Sequence, residues 1–142
     1  MAFRSWLIVA VFLLSAPARG GEETSVKHLV ALDYPPIAAQ AQIQGEVVLK
    51  CTVNDDGQVK NAEVVSGHPV LAKDARENAA KWAFSPAAGS RGESRVFTLI
   101  YRFQLEGVCF APNCTSSFSF DYPNQATVVT QARHWTPSAA PE

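Results

Sequence analysis

Concentrated positive charge is missing from this chain. Its 142 residues carry 12 Lys+Arg against 13 Asp+Glu, a net charge of −1, and no basic run stands out. A nucleic-acid binder needs clustered cations to displace counterions from phosphate, so that class is excluded as a partner. The electrostatic case for an anionic membrane surface goes with it. Long hydrophobic runs are missing too. The longest, Trp6 to Leu14, is nine residues, less than half of the roughly 20 that span a bilayer core. There is no collagen period, low-complexity block or internal repeat. The chemistry-bearing residues are sparse and scattered. His28, His68 and His134 stand singly, and none has a Cys or His neighbour at metal-ligand spacing. No G-x-S-x-G frame surrounds Ser66 and His68, which makes His68 a turn residue. No Gly-rich phosphate cradle follows a strand. Asp55-Asp56-Gly57 lacks the later bidentate Glu of a calcium loop and reads as a hairpin turn. No catalytic residue, metal, cofactor or small-molecule substrate is therefore expected, and the chain is not read as an enzyme.

What is present is a globular composition, 47% hydrophobic against 18% charged, at a length suited to one domain. Arg4, the apolar run and the small residues Ala16 and Ala18 have the layout of a secretory signal peptide over residues 1–18. The alternative is an uncleaved inner-membrane anchor. The first reading places the protein in the periplasm or outside the cell. An oxidising compartment suits a disulfide between Cys109 and Cys114, which flank a four-residue turn-rich segment. Cys51 lies among alternating apolar residues and reads as a small buried hydrophobe. Asn113-Cys114-Thr115 fits a glycosylation sequon, a pattern common by chance.

Periodicity predicts the elements. Residues 19–31 read as a flexible lead-in. Tyr34-Pro35-Pro36 opens a short helix whose apolar face is Ile37, Ala41 and Ile43, ending near Gly45. Val47, Leu49, Cys51 and Val53 alternate with polar positions, which marks a half-buried strand. Asp56-Gly57 turns it into a returning strand over 58–65. Leu71, Ala75, Ala79 and Trp82 recur at helical spacing over 70–82, closed by Phe84-Ser85-Pro86. Residues 95–105 form the strongest strand, with Phe97, Leu99, Tyr101, Phe103 and Leu105 on one face. Trp82 and Phe84 are read as core. These elements make a small two-layer α+β domain over 32–105 with a three-stranded antiparallel sheet, the last strand at an edge. Beyond it, 108–120 reads as a disulfide-pinned hairpin arm, 126–131 has strand propensity, and 136–142 reads as loose.

The ordered set Tyr34-Pro35, Gly45, the strand after it, Asp56-Gly57, Ser66, Trp82, Phe84 and Pro86, followed by an aromatic-rich strand, resembles the TonB C-terminal domain family. The resemblance implies a module that grips a short segment of an outer-membrane receptor, the TonB box, by adding it to the sheet as a strand. In that family the grip couples a proton-driven inner-membrane motor to transport. Carried onto this chain, the docking edge is Val96, Phe97, Thr98, Leu99, Ile100, Tyr101, Arg102 and Phe103. The flanking segment is Ala31, Leu32 and Asp33. Three departures accompany the match. About fifteen residues separate Ala18 from Tyr34, a reach of roughly 50 Å, far short of a periplasm. Ala31 stands where TonB itself has a receptor-facing Gln. The stretch 106–142 has no family counterpart. Two functions follow: an exported binding module that takes an extended peptide or self-associates as a homodimer through its edge strand, or a membrane-anchored energy transducer.

Overall fold

The computed structural model describes residues 25–85, 92, 94–110 and 113–134. The expectations for residues 1–18, for Pro86 and for 136–142 lie outside these. In chain order the elements are β1 (Val26–His28), α1 (Pro36–Gln40), β2 (Gly45–Val53), β3 (Val59–Ser66), α2 (Pro69–Ala79), β4 (Ala83–Phe84), β5 (Arg95–Phe110), β6 (Ser116–Asp121) and β7 (Gln125–His134).

The fold is α+β, but the sheet is larger than the sequence implied. Five strands lie in the order β3-β2-β5-β7-β6, and β1 and β4 form a separate pair. β2 pairs antiparallel with β3 and with β5, while β7 runs parallel to β5 and antiparallel to β6. Both helices pack on one face. α2 lies against β2 and β3, and α1 lies against β7.

The period of two in β2 is realised fully: Val47, Leu49, Cys51 and Val53 are all 0% exposed. Across the β2–β5 ladder, Leu49 faces Leu99 and Val47 faces Tyr101, so the apolar positions of the two strands share one layer. β7 extends that layer with Ala126 and Val128. Each fully buried large side chain contributes roughly 1.5–3 kcal/mol, which is why this face chooses its register so firmly. The turn between β2 and β3 is tied by Asn54, whose Oδ1 accepts from the Gln58 N–H at 2.8 Å. Gly57 follows at φ +88, a conformation that glycine adopts freely.

Several boundaries differ from the sequence reading, each for a physical reason. α1 is five residues and buries Ala38 and Ala39, while Ile37 is 70% exposed. The small alanines let the helix approach the sheet more closely than an isoleucine face would. α2 begins at Pro69, with His68 as its N-cap accepting from the Val70 N–H at 3.3 Å. It ends at Ala79, well before Pro86, because the chain turns there so that Trp82 enters the core and Ala83–Phe84 pair with β1. The lead-in is therefore structured from Val26 onward. β5 runs five residues past Leu105, to Phe110. The hairpin of the arm is β6–β7, and the Cys109–Cys114 disulfide instead ties the end of β5 to the approach to β6.

Candidate functional site: a sheet edge and its flanking groove

β5 is an interior strand. From Ile100 to Phe110 its second side is paired with β7, with Ile100 opposite Gln125 and Phe103 opposite Val128. Asn124 extends the seal: its carbonyl accepts from the Ile100 N–H at 2.9 Å, and its Nδ2 donates to the Thr98 carbonyl at 3.1 Å. The open edge expected over Val96–Phe103 is thus corrected. Ile100, Tyr101, Arg102 and Phe103 are enclosed on both sides, while Val96, Phe97, Thr98 and Leu99 have no β7 partner, Thr98 being capped by Asn124 instead. Leu99, Tyr101 and Phe103 are buried core residues, and Arg102 pairs with Glu46 on the exposed face at 3.2 Å. Both of those side chains are about half exposed, so the pair adds little.

The outer edges of the five-stranded sheet are β3 and β6. They are protected differently. β3 carries the exposed charges Lys60 and Glu63, and the chain just before it is bridged to β4 through Gln58 and Ala83. Charged residues and covering segments are ordinary defences of an unpaired strand. β6, Ser-Ser-Phe-Ser-Phe-Asp, has neither Lys nor Pro, and no strand among the described residues pairs with its outer side. Its Phe118 and Phe120 turn inward, with Phe120 edge-on to Trp82 at 5.3 Å between ring centres. Ser117 and Ser119 lie exposed.

Beside this arm lies a groove of about 690 Å³. One wall is the segment Ala31–Pro36, another is the Asp74, Glu77, Asn78 and Lys81 side of α2, and the third is Cys114, Ser116, Thr130 and Arg133. The predicted flanking residues Ala31, Leu32 and Asp33 are thus brought next to the β6–β7 arm. The Nε of Arg133 is shielded from solvent without a hydrogen-bond acceptor.

The segment is held there by Asn78, a residue the sequence reading passed over. Its Nδ2 donates to the carbonyls of Val30 at 3.0 Å and Ala31 at 3.2 Å. Its Oδ1 accepts from Trp82 Nε1 at 2.9 Å and from the Tyr101 hydroxyl at 2.7 Å. A buried amide that uses both ends in this way locks helix, sheet and flanking segment together. Burial pushes the Tyr101 hydroxyl well above the usual tyrosine range, with the nearby Cys51 adding to the shift. The Asn signal was available only as a polar residue three past Ala75 on the helical face.

The motif residues turn out to be anchors. Tyr34 is 4% exposed, donates its hydroxyl to the Ile43 carbonyl at 2.6 Å and stands edge-on to Phe103. Trp82 and Phe84 are buried, and Phe84 packs on Phe97 at 4.6 Å. Gly45 opens β2 at φ +139, Asp56 and Gly57 make the turn, and Ser66 closes β3 opposite Val48. Cys51 is fully buried, and burial pushes its thiol up to about 11. Among the described residues, no group of three His, Cys, Asp or Glu gathers at metal-binding distance, and no helix is long and apolar enough to cross a membrane.

Comparison with known proteins gives three findings. The sequence model of the family described as Gram-negative bacterial TonB protein C-terminal matches residues 30–105, over half of the 142. The solution NMR structure of the Pseudomonas aeruginosa TonB C-terminal domain aligns with 26% identity and a TM-score of 0.46, covering 56% of this chain and 84% of that one. No curated protein matches.

Proposed function

The chain belongs to the Gram-negative bacterial TonB protein C-terminal family, and from that premise we propose that it is an exported protein-binding module linked to transport through outer-membrane receptors. It takes an extended, TonB-box-like segment of a receptor by strand addition and performs no chemistry on it. The receiving edge is the outer side of β6, since the family's own edge on β5 is filled by β7. The observation that carries this is the unguarded β6 backbone beside a groove flanked by Ala31, Leu32 and Asp33. Backbone pairing supplies the grip, and alternate side chains of the guest supply selectivity. The signal-peptide layout expected over residues 1–18 supports a periplasmic setting for this interaction. Self-pairing of β6 between two copies competes for the same edge and is read by sedimentation.

The test is an NMR titration of the full chain with TonB-box-like peptides. Amide shifts concentrated in Ser116–Asp121 are expected. The Ser117→Lys/Ser119→Lys variant, which puts guarding charges on the edge, weakens them at least about threefold. An absence of shifts at about millimolar peptide, an interaction of only some 4 kcal/mol, contradicts the reading.

A further inference from the structure

We propose that β7 is a self-inhibitory strand. It fills a slot between β5 and β6 that would otherwise accept an extended segment from outside, and it leaves that slot without taking β6 with it. The proposal rests on the strand-addition reading above and concerns its regulation.

β7 comes last in the chain among the described elements, yet it lies between two earlier strands, parallel to one and antiparallel to the other. β6 has no other strand partner among the described residues, so the ties that keep it in place without β7 are a side-chain contact and a covalent bond. β6 is anchored to the core by Phe120 against Trp82, and its approach is tied to the end of β5 by the Cys109–Cys114 disulfide. The resident is held by backbone ladders on both sides but by few large side chains. Its fully inward residues are the small Ala126, Val128 and Thr130, whereas β5 turns Leu99, Tyr101 and Phe103 into the same layer. Less apolar area is lost when β7 leaves than when any neighbouring large-residue strand does. Its ladder with β5 is interrupted between Leu105 and Val108, and the Nε of Arg133 near its end is shielded without an acceptor. Strands with few large buried contacts open in local excursions below the global unfolding limit. A segment seeking the slot then binds with an apparent affinity lowered by the fraction of molecules in which β7 is out.

The guest that fits is an extended peptide with small inward residues at every second position, parallel to β5. The probe is a fluorescein-labelled copy of residues 125–134. In the full chain, Val128→Asp puts a charge at a position that is 0% exposed and expels β7. This variant is expected to bind the probe at least about tenfold more tightly than the unaltered chain, with NMR shifts in Ile100–Leu105 and in β6. A Ser119→Cys/Thr127→Cys pair, at directly opposed positions, locks β7 in place and is expected to abolish the residual uptake by the unaltered chain. If the Val128→Asp chain keeps the amide pattern of β2 and α2 yet binds no better, the proposal is overturned. Should that variant not fold, amide exchange in the unaltered chain decides. Exchange of β7 amides about tenfold faster than those of β2 supports the proposal, and equal rates overturn it. Receptor-type peptides shifting β6 in the unaltered chain test the other reading independently.

Discussion

At the scale of single residues, the site is organised by groups that never touch a guest. Asn78 bonds two carbonyls of the flanking segment and the polar tips of Trp82 and Tyr101, and Trp82 Nε1 also reaches the Val30 carbonyl at 3.2 Å. Replacing it with leucine leaves the buried Tyr101 hydroxyl and the Ala31 carbonyl without this partner, while Trp82 Nε1 and the Val30 carbonyl keep each other, and each lost partner costs about 1–3 kcal/mol. Asn78→Leu is therefore expected to lose about 3 kcal/mol in urea unfolding and to free residues 30–33 in amide exchange. Burial also fixes the alkaline limit. The Cys51 thiol rises from 9.0 to about 11 and the Tyr34 hydroxyl from 10.0 to about 12. In both cases the fold retains a proton that the unfolded chain releases, so stability is whole below pH 9 and falls as pH rises through these two windows. Denaturation midpoints at roughly pH 8 and pH 11 should differ in that sense, and a flat profile would count against the burial of both groups. The alternation that buries Val47 through Val53 was legible because a period of two is local. Asn78 was not, because a polar residue on a helix reads as solvated until its partners, 47 and 48 residues away, are known.

Among elements, the turn between β2 and β3 does more than reverse the chain. The Gly57 carbonyl accepts from the Phe84 N–H at 2.7 Å, and a Cβ at Gly57 would lie 1.8 Å from the Phe84 oxygen. Gly57→Ala is expected to lose at least about 2 kcal/mol and to detach β4, whereas Gly92→Ala, also at positive φ but in open space, loses about 1 kcal/mol from strain alone. Comparable losses for the two would refute the close approach. The Asp56-Gly57 turn, the two flanking strands and α2 were readable from composition and spacing. The end of α2 was not. Pro86 looked like the stop, but the helix yields earlier because burying Trp82 outweighs the few residues of continued helix. The family motif was likewise visible as spacing, while its role as scaffold emerged only from Tyr34 and Phe103 meeting across the core.

For the molecule as a whole, the decisive fact is nonlocal. Nothing in the pattern of residues 125–134 says that they slide between β5 and β6, because the partner of a strand is chosen by the rest of the sheet. The edge inferred from the family resemblance was therefore placed on a strand that this chain encloses itself. The 106–134 region that looked like an appendage completes the sheet and moves the accessible backbone two strands outward. The most direct measurement is residue-resolved amide exchange on the full chain, alone and with saturating receptor-type peptide. The account predicts that Ile100–Leu105 are already protected relative to the 54–57 turn in the free protein and unchanged by peptide, while every second amide of Ser116–Asp121 gains protection. Free exchange at Ile100–Leu105 without peptide, with protection appearing there upon its addition, would contradict it.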